Sequence, residues 1–198
     1  MKMGKMKYRG TIVVDIDGVI ADFESQFCNA FVHENRDMYS LEDRYPKTDP
    51  ELIREYVANP ENYKDLAPIF GGLLFCRQAY QRGWYVVLMT SRGKHLQEVT
   101  RNWLAMYGAV YHELQFTSDK REAILDFDRL HPDYPVKIVV DDSVSVLNSI
   151  PEKYCVAWEQ PWNEKFYPSM RYSESKMQLV ICRHPSEIYL GIWDKVKE

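Results

Sequence analysis

The chain has 198 residues, 45% of them hydrophobic and 27% charged, a composition typical of a globular protein and sufficient for one α/β domain with an insertion. The net charge of −4 offers no basic surface for duplex nucleic acid, and no apolar run approaches the roughly 20 residues of a membrane span, so we expect neither partner. The four cysteines are scattered without a C-x-x-C pair, which favours free thiols over disulfides or zinc and a cytoplasmic location.

The first predicted strand covers residues 11–15, where a β-branched apolar run is typical of a buried strand. It ends in Asp15, and Asp17 follows one residue later. Apolar residues then recur at helical spacing, which predicts a helix over residues 19–33. Carboxylates at the carboxyl end of a buried parallel strand lie where open α/β sheets bind ligands.

Residues 34–70 differ from the rest because they are polar, contain proline and are rich in tyrosine. Asp49 is a helix N-cap, Pro50 suits the first helical position, and an apolar face follows over residues 52–57. The segment is too short to bury a core of its own. The predicted division is therefore a core domain of residues 1–33 and 71–198 with a small helical cap at 34–70.

Helical and strand patterns alternate through the remainder of the chain. Predicted helices cover 71–82, 96–107, 119–127, 144–150 and 185–196, and predicted strands cover 84–89, 114–117, 136–140, 154–158 and, at an edge, 179–182. Residues 159–178 are predicted to form a polar, aromatic loop. This alternation predicts a mainly parallel sheet with right-handed crossovers, which is a Rossmann-like three-layer α/β/α fold.

Three predicted strands end in polar side chains that can do chemistry. They are Asp15 and Asp17 on the first strand, Thr90 and Ser91 on the second, and Asp141 and Asp142 on the fourth. Because the carboxyl ends of parallel strands meet at one edge of a sheet, we expect these side chains to lie together. Lys120, at the start of the helix after the third strand, can reach the same edge. Turn propensity would explain polar residues at one strand end. It does not readily explain polar residues at three strand ends together with a lysine.

This set of residues fits phosphoryl transfer. The carboxylates would repel one another unless a cation lay among them, and hard oxygen ligands select Mg²⁺. Asp15 could attack phosphorus to form an aspartyl-phosphate, and Asp17 could protonate the leaving oxygen and later activate water. Thr90 and Lys120 could hold the phosphoryl oxygens.

Several of these residues have other interpretations. A calcium-binding EF-hand needs more ligands before its glycine than the Asp-x-Asp-Gly sequence supplies, and no P-loop is present. Ser91 could be a helix N-cap instead of a phosphate donor, and Asp142 could cap the short helix at Val144. Arg92 could meet an anionic substrate or be a solvated residue at the start of a helix.

Four motifs resemble, in the same order, those of the haloacid dehalogenase superfamily of phosphohydrolases. They are Asp15-Ile16-Asp17-Gly18-Val19, Val86-Val87-Leu88-Met89-Thr90, Lys120, and Val139-Val140-Asp141-Asp142. The resemblance implies Asp15 as nucleophile and Asp17 as general acid/base. It implies Mg²⁺ held by the Asp15 side chain, the Asp17 carbonyl and Asp141, with Asp142 in support, and phosphate held by Thr90 and Lys120. It also implies that residues 34–70 take the place of the superfamily's helical cap.

The stretch from Asp15 to Phe23 is also similar to the opening of the 5'(3')-deoxyribonucleotidases, which read Asp-x-Asp-Gly-Val-Leu-Ala-Asp-Phe. The stretches Thr90-Ser91, Ser118-Asp119-Lys120 and Gln160-Pro161-Trp162-Asn163 fit that group too. In that group the phenylalanine that matches Phe23 lies against the nucleobase, although core packing would explain Phe23 equally well. Arg92 stands where the group tends to have proline, and the cap sequence offers no motif that aligns.

The leading hypothesis from the sequence is a Mg²⁺-dependent phosphomonoesterase, a 5'(3')-deoxyribonucleotidase, with Phe23 and Arg92 contacting the substrate. A polynucleotide 3'-phosphatase, or another small-molecule phosphatase of the superfamily, is the alternative. A catalytically idle domain that binds phosphate or a partner is a third hypothesis from a different class. We expect a small phosphate ester as the ligand and a monomer or homodimer as the assembly.

Overall fold

The computed structural model describes residues 8–31, 35, 38, 40–150, 154–163 and 179–182. At its centre is a six-stranded sheet, and a separate two-stranded antiparallel ribbon lies beside it. In chain order the strands are Thr11–Val14 (β1), Ala21–Asp22 (β2), Ala67–Pro68 (β3), Tyr85–Thr90 (β4), Glu113–Phe116 (β5), Val136–Asp141 (β6), Tyr154–Trp158 (β7) and Leu179–Cys182 (β8). The ribbon pairs β2 with β3.

The order of strands in the sheet is β5-β4-β1-β6-β7-β8, and every neighbouring pair is parallel. The helices are Phe23–Ala30 (α1), Leu41–Arg44 (α2), Pro50–Ala58 (α3), Phe70–Gln81 (α4), Gln97–Met106 (α5), Lys120–Leu130 (α6) and Val144–Ser149 (α7). Short 3₁₀ helices cover Pro60–Tyr63 and Lys94–Leu96. None of the described helices is long and apolar enough to cross a membrane.

The sheet is covered on both faces, which explains the continuous apolar run of β1. All four residues of β1 are buried, as expected for a strand in the middle of a parallel sheet. Because successive side chains point to opposite faces, Ile12 packs in the cluster that includes α4 and α5, whereas Val13 packs in the cluster that includes α6 and α7. The predicted three-layer α/β/α fold is confirmed, as is the edge strand at residues 179–182, which pairs with β7 in parallel.

The segment between α1 and β3 contains short helices that pack on α1. We refer to residues 40–63, which contain α2, α3 and one 3₁₀ helix, as the helical segment. Its buried residues Tyr45 and Ile53 form one apolar cluster with Phe27 of α1. Asp49 accepts a hydrogen bond from the backbone N–H of Glu51, which caps α3 as predicted. The segment thus completes its small core by using a helix of the main body.

The first helix begins later than the sequence pattern predicts. Residues 16–20 form a tight turn in which the carbonyl oxygen of Ile16 accepts from the N–H groups of Val19, Ile20 and Ala21. Val19 and Ile20 are fully buried in this turn, so their apolar spacing reflects core packing and not a helix. The helix starts after Asp22, whose carboxylate accepts from the N–H of Ser25 at 3.0 Å.

Among the other predicted elements the boundaries differ by at most one residue, except that α6 ends at Leu130, three residues beyond its predicted end. The predicted helix at 185–196 lies outside the described residues, as do residues 164–178 of the predicted loop and the end of the first predicted helix at 32–33. Cys76 is a buried free thiol, as the sequence predicted for it.

Candidate active site

The topology brings the predicted strand ends together. β1 lies between β4 and β6 in the sheet, so Asp15, Thr90 and Asp141 meet at one edge. The N–H of Asp15 donates to the carbonyl of Val140 at 2.9 Å, which fixes the end of β1 against β6. All three side chains are buried. Burying two carboxylates at one edge costs free energy unless cations or hydrogen-bond donors contact them. The structure supplies such groups.

Lys120 provides the cation for this edge. It is the first residue of α6, where Asp119 caps the helix by accepting from the N–H of Glu122 at 3.0 Å. The Lys120 Nζ atom lies 2.8 Å from Oδ2 of Asp15 and 2.8 Å from Oδ2 of Asp141. Burial alone would lower the pKa of Lys120, but Asp141 and Asp15 outweigh burial and raise it. Lys120 therefore bridges the two carboxylates as a cation.

Asp142 lies beside this bridge with a carboxylate that is held from two sides. Its Oδ2 atom accepts from the indole Nε1–H of Trp162 at 3.0 Å, and the same atom packs against Gly18. Burial raises the pKa of Asp142 well above its ordinary value, and Asp141 and Asp15 raise it further. Asp142 does not cap α7, because the side chain of Ser143 accepts the hydrogen bond from the N–H of Val146.

The carboxylates of Asp15, Asp141 and Asp142 form a set that could hold a metal ion. One oxygen atom from each residue lies within 4.8 Å of the others, and all three residues are buried. Hard oxygen donors of this kind suit Mg²⁺. This donor set fits the predicted metal, and it includes the Asp142 carboxylate together with those of Asp15 and Asp141. The Asp17 side chain is not part of this set.

The Asp17 carboxylate is instead paired with Arg92. The guanidinium donates from Nε to Oδ2 at 2.8 Å and from Nη2 to Oδ1 at 2.6 Å, which is the strong bidentate arrangement. Arg92 also donates to Thr100 Oγ1 at 3.0 Å and lies 4.6 Å from the centre of the Tyr63 ring. Its side chain is 2% exposed, which rules out the interpretation of Arg92 as a solvated residue. Arg92 orients Asp17.

The two hydroxyl residues after β4 occupy different environments. Thr90 is buried, and its Oγ1 atom accepts from the N–H of Arg92 at 3.2 Å. Ser91 is exposed and lines the cavity described below. Ser91 is not a helix N-cap, because the next helix begins at Lys94 after Gly93. Ser91 is therefore accessible from the cavity.

A cavity of about 290 Å³ opens above these residues. It is lined by residues of the sheet edge, α1, the helical segment and the loop after β7, namely Asp15, Asp17, Gly18, Phe23, Glu24, Ser40, Leu41, Arg44, Val57, Tyr63, Ser91, Arg92, Asp142 and Trp162. The Phe23 ring stacks on the Tyr63 ring with centroids 5.5 Å apart. Phe23 thus both packs on the core and forms one wall of the cavity, so the two interpretations of Phe23 are compatible.

Glu24 and Arg44 line the cavity but were not predicted from the sequence as site residues. Arg44, at the end of α2, forms an ion pair with Glu24 of α1, and its guanidinium lies 4.3 Å from the centre of the Trp162 ring. All three residues line the cavity. No sequence signal marks Arg44, because its partners are distant along the chain. Trp162 lies in the stretch Gln160-Pro161-Trp162-Asn163. The similarity of this stretch to the 5'(3')-deoxyribonucleotidases was the one sequence signal that pointed to Trp162.

The turn at Gly18 gives a first prediction. Gly18 has a φ of +77°, and a Cβ atom there would lie 2.6 Å from Asp142 Oδ2; Gly83 has a φ of +80° with nothing within 4 Å of its Cβ position. We expect G18A and G83A each to lose about 1–2 kcal/mol of unfolding free energy from the left-handed backbone. Only G18A should also displace Asp142 and weaken metal binding. Urea unfolding and Mg²⁺ calorimetry of both variants test this, and equal metal affinity in the two would contradict it.

The pKa of Asp15 gives a second prediction, for the metal-free protein. Burial raises the pKa of Asp15 from 3.8 to about 7 against the opposing effect of Lys120. The native state therefore holds a proton that the unfolded chain has lost, and the unfolding free energy should fall as pH rises from about 4 to about 7. D15N lacks this group, so its stability relative to the wild type should increase across that range. Urea unfolding at several pH values measures the difference, and a difference independent of pH would contradict the assignment.

Comparison with known proteins gives similarities to solved structures alone. No family model matches the sequence, and no curated protein does. The structure is similar to a haloacid dehalogenase-like family hydrolase from Streptococcus pneumoniae, with a TM-score of 0.66 and 12% identity over 91% of this chain and 96% of that one. It is also similar to a Thermotoga maritima protein described as a beta-phosphoglucomutase, with a TM-score of 0.61 and 18% identity over 95% and 100% of the two chains.

A third similar structure is the class C acid phosphatase from Bacillus anthracis, with a TM-score of 0.52 and 14% identity over 90% of this chain and 67% of that one. The chain also spans 47% of the length of a chain in the Pnkp1/Rnl/Hen1 complex, at a TM-score of 0.47 and 15% identity. At these identities, similarity of structure establishes the fold. The chain has the haloacid dehalogenase-like fold that its motifs predicted.

Proposed function

We propose that this protein is a Mg²⁺-dependent phosphomonoesterase that hydrolyses deoxynucleoside monophosphates through an aspartyl-phosphate intermediate. The observation that carries the proposal is that two features line one cavity: Asp15 and Asp142 of the buried carboxylate set, and the aromatic wall of Phe23 and Tyr63. The carboxylates fit a metal and a phosphoryl group, and the aromatic wall fits a nucleobase. The haloacid dehalogenase-like fold, which the acid phosphatase above shares, supports the proposal.

Asp15 is the proposed nucleophile. It lies at the bottom of the cavity, where burial keeps water from competing for its oxygens. Its Oδ1 atom accepts from the N–H of Ile16 at 2.7 Å, and its Oδ2 atom faces Lys120. The two contacts fix the carboxylate, which favours attack on a phosphorus atom in one orientation. The charge of Lys120 stabilises the ionised form that such an attack needs.

Asp17 is the proposed general acid/base. Its side chain is 30% exposed, so it can reach both a leaving oxygen and a water molecule from the cavity. The bidentate contact with Arg92 holds it in position. Thr90, Ser91 and Lys120 are the proposed phosphate ligands. Mg²⁺, held by Asp15, Asp141, Asp142 and the Asp17 carbonyl, would neutralise charge on the phosphoryl group.

We also propose that residues 34–70 act as a cap over a core formed by the rest of the chain. Ser40, Leu41, Arg44 and Val57 of the helical segment line the cavity opposite the sheet edge. A cap in this place would shield the phosphoryl group from water and contact the leaving group. Arg44, which is buried in the cavity wall, is the basic residue of the helical segment nearest to that role.

A polynucleotide 3'-phosphatase is the second candidate, and one observation favours it. A further cavity of about 570 Å³ shares Glu24 and Trp162 with the first cavity and is also lined by Trp158 and Pro161. Its size and its aromatic lining would suit the nucleotide next to a terminal phosphate. Its acidic residues Asp22 and Glu24 weigh against a polyanion.

A substrate panel tests the two candidates together. Phosphate release is measured with Mg²⁺ on 5'- and 3'-deoxynucleotides, the matching ribonucleotides, sugar phosphates and a 3'-phosphorylated oligonucleotide. The leading proposal predicts the highest kcat/KM for deoxynucleoside monophosphates. Turnover of the oligonucleotide with indifference to free nucleotides would establish the second candidate instead. No phosphate release from any member, with or without Mg²⁺, would contradict both.

A further inference from the structure

The loop that follows β7 returns to the candidate active site and is held there by several side-chain hydrogen bonds. Gln160 Nε2 donates to the carbonyl of Gly18 at 2.8 Å, and Asn163 Nδ2 donates to the carbonyl of Asp142 at 2.8 Å. Asn163 is fully buried and also donates to the carbonyl of Trp158. The loop is thus anchored on both sides of the carboxylate set, with Trp162 between the two anchors.

Trp162 lies between the helical segment and Asp142. Its ring is 4% exposed, and the Arg44 guanidinium lies 4.3 Å from its centre. Its Nε1–H donates to Asp142 Oδ2 at 3.0 Å. Arg44 is itself held by the ion pair with Glu24. A continuous series of contacts therefore leads from the helical segment through the indole to one of the three carboxylates.

The Asp142 carboxylate has little freedom to take another orientation. On one side Gly18 approaches so closely that a Cβ atom would lie 2.6 Å from Oδ2. On the other side the indole N–H occupies the same oxygen. A hydrogen bond from a buried donor to one oxygen of a carboxylate fixes the direction of the other, and groups that hold metal ligands in this way contribute to metal affinity.

We infer that Trp162 is a positioning residue for the metal site: its indole N–H holds the Asp142 carboxylate beside Asp15 and Asp141, and Arg44 holds the indole in place by stacking. The inference rests on the metal dependence in the proposed function. It adds to the metal site a residue from a loop that carries none of the four motifs. It also links the position of the helical segment to the geometry of the metal ligands.

The test is Mg²⁺ binding to the metal-free protein by calorimetry, without substrate. W162F keeps a ring for Arg44 to stack on but loses the N–H donor, and we expect its Mg²⁺ affinity to fall by about 10-fold or more. The matched control is W84F, since Trp84 is also 4% exposed and its indole nitrogen has no hydrogen-bond partner among the described residues. W84F should bind Mg²⁺ as the wild type does. Equal affinity of W162F and the wild type would overturn the inference.

A second variant separates positioning from general packing. R44M leaves the indole donor in place and removes the stacked guanidinium, so it should lower Mg²⁺ affinity in the wild-type background but not in the W162F background. Equal losses in both backgrounds would overturn the role of Trp162 as the link. If W162F does not fold, R44M alone tests the inference. Mg²⁺ affinity equal to that of the wild type in R44M would then show that Arg44 does not act on the metal site through Trp162. A wild type that binds no Mg²⁺ would overturn the metal dependence of the proposed function itself.

Discussion

D15N is expected to release phosphate at least about 10⁴-fold more slowly than the wild type, the scale of loss seen when a nucleophile is removed. The asparagine amide cannot attack phosphorus, but it has the shape of the carboxyl and can still accept from the N–H of Ile16. The fold should therefore be kept. Because burial disfavours the Asp15 charge, the variant should be at least as stable as the wild type at neutral pH in the absence of metal.

Phosphate release and urea unfolding are measured on the same D15N preparation. D49N is the matched control, because Asp49 is an exposed helix N-cap on α3 and asparagine caps equally well. D49N should match the wild type in both measurements. Substantial phosphate release by D15N would show that Asp15 is not the nucleophile, whether or not the variant still binds the metal.

Replacing Lys120 with methionine is expected to have the largest effect on stability. Lys120 is buried and bridges Asp15 and Asp141 at 2.8 Å each. Removing one partner of a buried ion pair leaves uncompensated charge and costs about 3–5 kcal/mol. The cost should be greatest above the raised pKa of Asp15, at about pH 7, where both carboxylates are ionised. Added Mg²⁺ should restore part of the stability but not the activity, because the phosphate ligand is lost.

Urea unfolding of K120M with and without Mg²⁺ measures this effect. The control is K64M, since Lys64 pairs with Glu61 on an exposed surface, where an ion pair is worth under about 1 kcal/mol. K64M should change neither stability nor activity appreciably. If K120M were as stable as the wild type above pH 7 without metal, the two carboxylates could not both be charged there, and the proposed roles at this site would need revision.

The strand-end residues could be predicted from the sequence because one rule of topology governs them. Asp15, Thr90 and Asp141 each end a buried apolar run, and parallel strands bring such ends to one edge. The same rule predicted that Lys120 reaches this edge, because it begins the helix that follows a parallel strand. It could not show that Lys120 bridges two carboxylates or that Asp142 points into the set, because those contacts depend on side-chain packing across the sheet.

Where the sequence analysis failed, a local pattern had more than one structural explanation. Val19 and Ile20 have the spacing of a helix, but they are buried in the turn that precedes the β2 and β3 ribbon. The helix α2 has only four residues, too few for a periodic pattern. Arg44 and Trp162 contact each other across more than a hundred residues of chain, and a single sequence carries no record of such a pair.

The most direct test of the account is to look for the phosphoryl group on Asp15. The wild type and a D17N variant are mixed with Mg²⁺ and the best substrate of the panel, quenched in acid and analysed by peptide mass spectrometry. We expect a phosphorylated peptide that contains Asp15, and it should be more abundant in D17N because the group that activates water for hydrolysis is missing. Phosphate release by the wild type with no phosphoryl group on Asp15 in either protein, or with one on a different residue, would contradict it.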